Sequence, residues 1–256
     1  MMKKFKTLDE IFNNEVKVRV NAEFAPFRIQ CDGPIRESAD PYDAYCIVWT
    51  NYYLDEETSD EIFESVAMAE LRASSFGDYV QAIEYMDDCS DDARESAIVA
   101  GKYFEMFPRR CREIKWFQKF YGGVSIYDLH TFYVSPKFRG KGVATVILQQ
   151  LPLLLRELHL SHGIITAYIN PFIRQDIELP DSEDKMFDSF NDDRLIKYSN
   201  HKSTQSKEIT EQLKKLLEKC GFSNTHDMYY AVSLEYLASQ AKKKNAMSEY
   251  VYSLWE

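Results

Sequence analysis

The sequence predicts an α/β protein whose mixed, twisted sheet is flanked by helices. Strand-length runs of β-branched and aromatic residues lie towards both ends of the chain. Between residues 125 and 170, a strand pattern, a glycine-containing turn, an apolar helical pattern and another strand follow one another. With 256 residues, of which 45% are hydrophobic, the chain can build a sizeable core. No internal repeat or Gly/Ser-rich linker interrupts it, so we expect one integrated domain over residues 1–256.

The N-terminal half, residues 1–121, is predicted to begin with strands and to continue with helices. VKVRVNAEF and AYCIVWTNYY are typical of strands. We expect helix from about Thr58 to Phe107, because TSDEIFESVAMAEL opens with a capping box, Thr58 to Glu61, and continues with apolar residues at helical spacing. These apolar residues are Ile62, Val66, Ala69 and Leu71.

Residues 122–171 contain the strand–turn–helix–strand unit. SIYDLHTFYV is a predicted strand that ends at Ser135-Pro136, and GIITAYIN is a predicted strand that ends before Pro171. Between them, VATVILQQLPLLLREL has an apolar helical pattern. Pro152 lies inside that pattern and predicts a kink or an early end of the helix.

The C-terminal part divides into an insertion and a final helical and hairpin region. Residues 172–204 form a polar, acidic insertion without sustained periodicity, which we interpret as either a substrate-side lid or a disordered segment. Within residues 205–256, KEITEQLKKLLEKC is a predicted helix with Gly221 at its C-cap. FSNTHDMYYAVSLEY predicts a hairpin, and a terminal helix follows.

The termini, apolar runs and cysteines indicate a cytoplasmic protein. MMKKFKTLDEIF has no apolar signal-peptide core, and the longest apolar run, around LQQLPLLL, is too short to span a bilayer. We therefore expect no membrane association. The cysteines are odd in number and scattered, which predicts reduced, mostly packed thiols rather than disulfides or a zinc ribbon. They are Cys31, Cys46, Cys89, Cys111 and Cys220.

An acidic block dominates the charge of the chain. Residues 55–95 hold fourteen acidic and two basic residues, a net charge of −12 in a chain of net charge −10. Three interpretations remain open: a solvated face, carboxylates that steer a cationic substrate, and mimicry of nucleic-acid charge. We expect no nucleic-acid partner. The oligomeric state stays open, with a homodimer among the alternatives.

The glycine turn within FYVSPKFRGKGVATVILQQL predicts an anion site. A glycine-rich turn between a strand and a helix brings backbone N–H groups and the helix dipole to one point, and glycines let an anion approach closely. Arg139 and Lys141 add positive charge, and Thr145 adds a hydroxyl. Neither phosphate-loop pattern, G-x-x-x-x-G-K-[ST] or G-x-G-x-x-G, is present here. The turn is therefore expected to hold the pyrophosphate of a different cofactor.

VSPKFRGKGVA resembles motif A of the GNAT superfamily of N-acetyltransferases. The motif, Q/R-x-x-G-x-G/A, is matched by Arg139, Gly142 and Ala144 after a strand that ends in Val134. AYINP resembles the fifth strand of that family, and LLEKCGF resembles the end of its fourth helix, including KCGF at residues 219–222. These segments cover about a third of the chain and stand in the family's order.

The resemblance implies a GNAT-like fold that binds acetyl-CoA and transfers its acetyl group to an amine, without a metal. The turn would hold the pyrophosphate, and the preceding strand would pair with the pantetheine arm and stabilise the oxyanion through its backbone N–H groups. Asn170 either contacts the cofactor or is an ordinary turn residue. The other residues implied in cofactor binding are Phe132, Tyr133, Val134, Arg139, Gly140, Lys141, Gly142, Val143, Ala144 and Thr145.

Three features depart from the family pattern. The tyrosine often credited with protonating the departing thiolate aligns with Leu217. The insertion after Pro171 lengthens a normally short link, and predicted helix before Gly122 replaces the second and third strands. The resemblance implies a primary amine of a small molecule, peptide or protein as the acceptor, and the acidic residues favour a cationic one. The alternative function is an interaction protein that keeps the fold, with or without CoA binding, and lacks turnover.

Asp128 and His130 are the candidates for the base. Strand alternation predicts that they share a face with Phe132 and Val134, opposite the residues at odd positions from Tyr127 to Tyr133. Asp128 falls where well-studied family members carry a glutamate base. The alternatives are that Asp128 caps the start of the strand and that His130 is an ordinary core or surface histidine. We expect His159 and His162 to be capping or surface residues, not metal ligands.

Overall fold

The computed structural model describes residues 16–19, 26–35, 42–54, 61–87, 91–134, 138–158, 160, 162–169 and 204–243. Within these ranges, eight strands form one open, mostly antiparallel sheet in the order β1-β2-β3-β4-β5-β6-β8-β7. The strands are β1 (Val16–Arg19), β2 (Pro26–Ile35), β3 (Asp43–Leu54), β4 (Glu61–Phe76), β5 (Val124–Val134), β6 (Gly163–Tyr168), β7 (Ser223–His226) and β8 (Tyr229–Ser233). The helices are α1 (Tyr79–Asp87), α2 (Asp91–Met106), α3 (Arg112–Tyr121), α4 (Val143–Glu157), α5 (Thr204–Cys220) and α6 (Leu234–Lys243).

Helices cover both faces of the sheet. On one face, α4, α5 and α6 bury apolar side chains against the strands, with Ile147, Leu151 and Leu155 of α4 at most 1% exposed. On the other face, α1, α2 and Ile114 of α3 form a second cluster over Ile126 of β5. The mixed α/β architecture predicted from the sequence is therefore confirmed. No described helix is long and apolar enough to cross a membrane.

The predicted helix over residues 58–76 is wrong where the structure describes it. Residues 61–76 form β4, which pairs with β3 on one side and with β5 on the other. Both faces of this central strand are covered, so Met68 is buried on one face while Ala69 and Leu71 are buried on the other. A strand buried on both faces has a continuous apolar run. That run also satisfies helical spacing, and pairing with two neighbours overrides the local pattern.

The same result corrects the expectation that helix replaces the strands upstream of the glycine turn. β4 pairs with β5, β3 pairs with β4, and α1, α2 and α3 are inserted between β4 and β5. Helix within residues 79–106 is confirmed by α1 and α2. Within the described residues, the acidic block is mainly divided between a central strand and two helices.

The strand–turn–helix–strand unit is confirmed as β5, α4 and β6. Because β5 and β6 run parallel, a crossover is needed, and α4 provides it. The helix does not end at Pro152 but continues to Glu157. At the end of α5, the N–H of Phe222 donates to the carbonyl of Leu217, and Gly221 has φ +102°. This geometry confirms the glycine cap as a Schellman motif.

The predicted hairpin is also confirmed, as β7 and β8, and α6 follows it. Among the predicted reduced thiols, Cys111 and Cys220 are buried and form no disulfide with a described residue. The insertion at residues 172–204 lies outside the described residues, apart from Thr204 at the start of α5. Asn170 and His159 also lie outside them.

Candidate functional site

The turn between β5 and α4 has the backbone that its glycines predict. Gly140 has φ +73° and Gly142 φ +80°, conformations that favour glycine. Gly142 is the N-cap of α4, without a side-chain cap. The N–H groups of the first helical turn have no intrahelical acceptor, and the N–H of Val146 donates to the carbonyl of Gly142 at 3.2 Å. The turn thus presents backbone donors to whatever occupies the space in front of it.

The electrostatics of this turn favour an anion. Arg139 and Lys141 are exposed, and the first turn of α4 carries no acidic residue. The Nε of Arg139 donates to the carbonyl oxygen of Val134 at 2.9 Å, and its guanidinium carbon lies 5.1 Å from the ring centre of Tyr133. Arg139 therefore joins the turn to the end of β5. Val143 is buried, whereas Ala144 and Thr145 are partly exposed at the start of α4.

The end of β5 is paired on one side only, within the described residues. Parallel pairing with β6 extends from Ser125 to Leu129 and stops there. Antiparallel pairing with β4 continues to Val134. The N–H of Ile169, just beyond β6, donates at 3.0 Å to the carbonyl of Met228, on the β8 side of the sheet. Beyond Leu129, the described pairing of β5 is with β4, and the stretch from Phe132 to Val134 follows the end of its pairing with β6.

A β-bulge lies in β5 where its pairing with β6 ends. Glu70 of β4 pairs with Thr131 and Leu71 pairs with Leu129, so His130 is the extra residue. A bulge of this kind bends the strand and increases its twist.

The bulge reverses the predicted alternation beyond it. Opposite residues of an antiparallel pair share a face, and Phe132 pairs with Ala69, which belongs to the core cluster beneath α4. Phe132 and Val134 pack against that same cluster, together with Tyr127 and Leu129. The prediction that Asp128 shares a face with Phe132 and Val134 is therefore wrong.

Asp128 lies on the opposite face, covered by α2, and its side chain is 17% exposed. The Oδ1 atom accepts hydrogen bonds from Ser96 Oγ at 3.0 Å and from Thr166 Oγ1 at 3.2 Å. Ser96 belongs to α2, and Thr166 lies directly opposite Asp128 on β6. Asp128 therefore joins β5, β6 and α2 and does not cap the start of a strand.

His130 is exposed and lies beside Asp128. Its Nδ1 is 3.6 Å from Oδ2 of Asp128, an ion-pair distance too long for a hydrogen bond. A carboxylate on the Nδ1 side can orient an imidazole and leave Nε2 facing outward. The structure thus brings the two sequence-predicted catalytic candidates together at the bulge.

A small cleft next to Asp128 contains residues that the sequence did not single out. Tyr42, Arg72 and Ser96 line it. Arg72 donates from Nε to Oε1 of Glu70 at 2.7 Å, and its guanidinium carbon lies 4.7 Å from the ring centre of Tyr42. Two carboxylates and one guanidinium therefore occupy this face of the sheet. No local motif marks Tyr42, Arg72 or Ser96, and the sequence predicts helix where the structure has β4.

Two further expectations bear on the site. Leu217 is 7% exposed and belongs to the apolar core, so this position supplies no proton donor. Within the described residues, no group of three or more His, Cys, Asp or Glu side chains is placed to hold a metal ion.

A comparison of the sequence with models of protein families finds no match, and a comparison with curated proteins finds no significantly similar sequence. The chemistry of the site must therefore be argued from its own geometry.

Proposed function

We propose that the chain is an acetyl-CoA-dependent N-acetyltransferase with a GNAT-like fold. The observation that carries the proposal is the course of β5, which continues past its last pairing with β6 and ends at a glycine turn heading α4. β5 and β6 form a parallel pair in an otherwise antiparallel sheet, and their pairing ends before β5 does. In the proposal, the last part of β5 offers an open strand edge, and the turn after it offers an anion site. These are the two features that an extended cofactor with a pyrophosphate group requires.

The spacing of these features suits acetyl-CoA. In the proposed mode, the pyrophosphate contacts the turn from Arg139 to Thr145, and the pantetheine arm lies along Phe132 to Val134. Val134 lies four positions beyond His130, which corresponds to about 13 Å at roughly 3.3 Å per residue. An arm following that edge brings the thioester close to the bulge. Backbone N–H groups there are the proposed donors to the oxyanion of the tetrahedral intermediate.

Asp128 and His130 supply the proposed proton acceptor. The acceptor amine attacks the thioester carbonyl, the amine loses a proton to His130 or Asp128, directly or through water, and the CoA thiolate leaves as the amide forms. His130 is exposed and close to the bulge, whereas Asp128 is half-buried and contacts both Ser96 and Thr166. This arrangement favours His130 as the base and Asp128 as the residue that orients it. Leu217 cannot donate a proton to the thiolate, so that proton comes from another group or from solvent.

The acceptor proposed is a cationic primary amine. Glu70 and Asp128 lie on the same sheet face, and residues 55–95 have a net charge of −12. A polyamine, an aminoglycoside or a lysine-rich peptide has the matching charge.

Acetyl-CoA binding is tested by calorimetry on Gly142→Asp. The new carboxylate would stand at the N-terminus of α4, where it opposes the pyrophosphate by charge and by bulk, so we expect CoA affinity to fall by at least about tenfold. Gly122→Asp is the matched control, because Gly122 also has a positive φ, +67°, and open space around its Cβ position. Equal CoA affinity in the two variants would remove the basis of the proposal.

The base is tested by measuring kcat against pH for His130→Gln and Asp128→Asn, with CoA affinity measured in parallel. Loss of a true general base lowers the rate by roughly 10² to 10⁴ while CoA binding is retained. If Asp128 only orients His130, Asp128→Asn alters the pH profile and lowers kcat less than His130→Gln does. Normal kcat and pH profile in both variants would place the base elsewhere.

The alternative function is a CoA-binding interaction protein without turnover. The burial of Leu217 at the position expected for the acid favours it. CoA binding without thiol release on any member of an amine panel would support this alternative against the transferase.

A further inference from the structure

Most of the large exposed apolar side chains of the described residues belong to two helices. Seven large hydrophobic residues are strongly exposed, and five of them belong to α1 and α3. Monomeric proteins rarely leave such side chains clustered. The five are Val80, Tyr85, Trp116, Phe120 and Tyr121.

Helix α3 presents an aromatic and basic face. Ile114 is its buried residue, while Trp116 is 53% and Phe120 60% exposed. Lys115 and Lys119 are exposed one position before these aromatic residues, so a basic stripe runs beside an aromatic stripe at i, i+4 spacing. Three basic side chains and one acidic side chain give α3 a charge of +2 in a chain of −10.

Helix α1 presents the complementary face. Ala82 and Met86 are buried, and Val80 and Tyr85 are 65% and 56% exposed on the other side. Glu84 is exposed between these two apolar residues. The helix carries two acidic side chains and no basic one, and one of them, Asp87, pairs with Arg94 of α2 at 2.8 Å. Its exposed face is thus apolar and acidic where that of α3 is aromatic and basic.

Residues of both helices line one groove. Tyr85 of α1 and Phe117 of α3 line it together with Gly122 and Leu160. The groove lies at the N-terminal end of β5, away from the glycine turn that follows the strand. Phe117 is held in place by ring stacking on His162, with ring centres 4.8 Å apart.

We infer that α1 and α3 form the interface of a homodimer, in which α3 of one copy packs on α1 of the other. In a two-fold symmetric dimer this contact forms twice, because α3 of each copy meets α1 of the other. The aromatic side chains cover Val80 and Tyr85, and Lys119 pairs with Glu84. Charge complementarity selects a second copy, because another acidic or basic partner would match only one of the two helices.

The expected affinity is moderate. Aromatic side chains bury about 150–250 Å² each, so half-exposed ones offer roughly 100 Å² apiece. Four such aromatic residues and Val80, with their charged neighbours, approach the roughly 800 Å² per partner of a standard interface. A dissociation constant of about micromolar order follows, because interfaces of that size range from micromolar to tighter.

Sedimentation velocity of the full chain over roughly 1–100 µM tests the interface. We expect a monomer–dimer equilibrium that weakens by at least about tenfold in Trp116→Ser. Tyr168→Ser is the matched control, since Tyr168 is 51% exposed but lies on β6. Circular dichroism checks that both variants fold.

A charge exchange makes the test specific for the pairing. Lys119→Glu and Glu84→Lys should each weaken the dimer, and the double variant should restore it. Lys207→Glu on α5 is the exposed control and should change nothing. A monomer at every concentration, or a dimer that Trp116→Ser leaves unchanged, would overturn the inference. So would additive weakening in the double variant, or a monomer whose Trp116 face binds anionic vesicles or single-stranded nucleic acid.

Discussion

Replacing Asp128 separates its structural contribution from its chemical one. Asp128→Ala removes the acceptor of two hydroxyl groups, Ser96 Oγ and Thr166 Oγ1, whose residues are 3% and 0% exposed. A hydrogen bond to a charged acceptor contributes about 1.5–3 kcal/mol. Two of them predict that Asp128→Ala lowers the free energy of unfolding by about 3–5 kcal/mol. Asp128→Asn keeps an acceptor oxygen and should cost about 1–2 kcal/mol, because neutral hydrogen bonds are weaker.

Urea denaturation followed by circular dichroism at neutral pH measures both values. Glu208→Ala is the control, since Glu208 is an exposed carboxylate on α5 and its removal should change the free energy of unfolding by less than about 0.5 kcal/mol. If Asp128→Ala is as stable as Asp128→Asn, the hydroxyl groups do not depend on Asp128 and the reasoning fails. If Asp128→Asn folds normally but loses activity, the loss is chemical.

The packing at Gly163, the burial of Glu235 and the charge of the acidic block each have a testable consequence. Gly163→Ala should lower the free energy of unfolding by about 1–3 kcal/mol or more, because its Cβ would overlap the Tyr127 ring and lie 2.9 Å from the Ser125 carbonyl oxygen; equal melting temperatures would contradict this. Burial raises the pKa of Glu235, so ionisation costs stability at neutral pH and this cost disappears as the pH falls through the folded-state value. Glu235→Gln should therefore be neutral or stabilising at neutral pH and lose that advantage in acid. A loss of stability at every pH would show that the Glu235 carboxylate, which accepts a hydrogen bond from the N–H of Glu113 at the start of α3, is favourable. If acidic residues steer a cationic amine, kcat/KM should fall between about 0.1 M and 1 M salt, as the Debye length drops from about 10 Å to 3 Å, and a salt-independent value would exclude steering.

The elements that the sequence predicts well are those defined by local patterns. A glycine turn lies between β5 and α4, and a proline follows each of the two strands in sequence. Each of the three segments matches the local pattern of one kind of secondary structure. The cap at Gly221 also depends on neighbouring residues alone. β4 could not be predicted in this way, because EIFESVAMAELRASSF satisfies helical spacing, while its strand conformation depends on pairing with β3 and β5.

The same distinction between local and long-range causes holds for the candidate site. The turn that heads α4 is local, so its residues and backbone could be predicted from glycine and charge. The environment of Asp128 is not local, since Ser96 and Thr166 are 32 and 38 positions away in sequence. The bulge at His130 is set by the register between β4 and β5, and register has no local sequence signal here.

One extra residue links the two halves of the proposed site. The bulge at His130 follows directly after Leu129, where the pairing of β5 with β6 ends. A bulge increases local twist. It also places Phe132 and Val134 on the face opposite to Asp128, so the residues proposed for the cofactor and those proposed for the acceptor meet at the bulge from different faces of one strand. The end of the β5–β6 pairing, the extra residue His130 and its approach to Asp128 thus coincide at one structural feature.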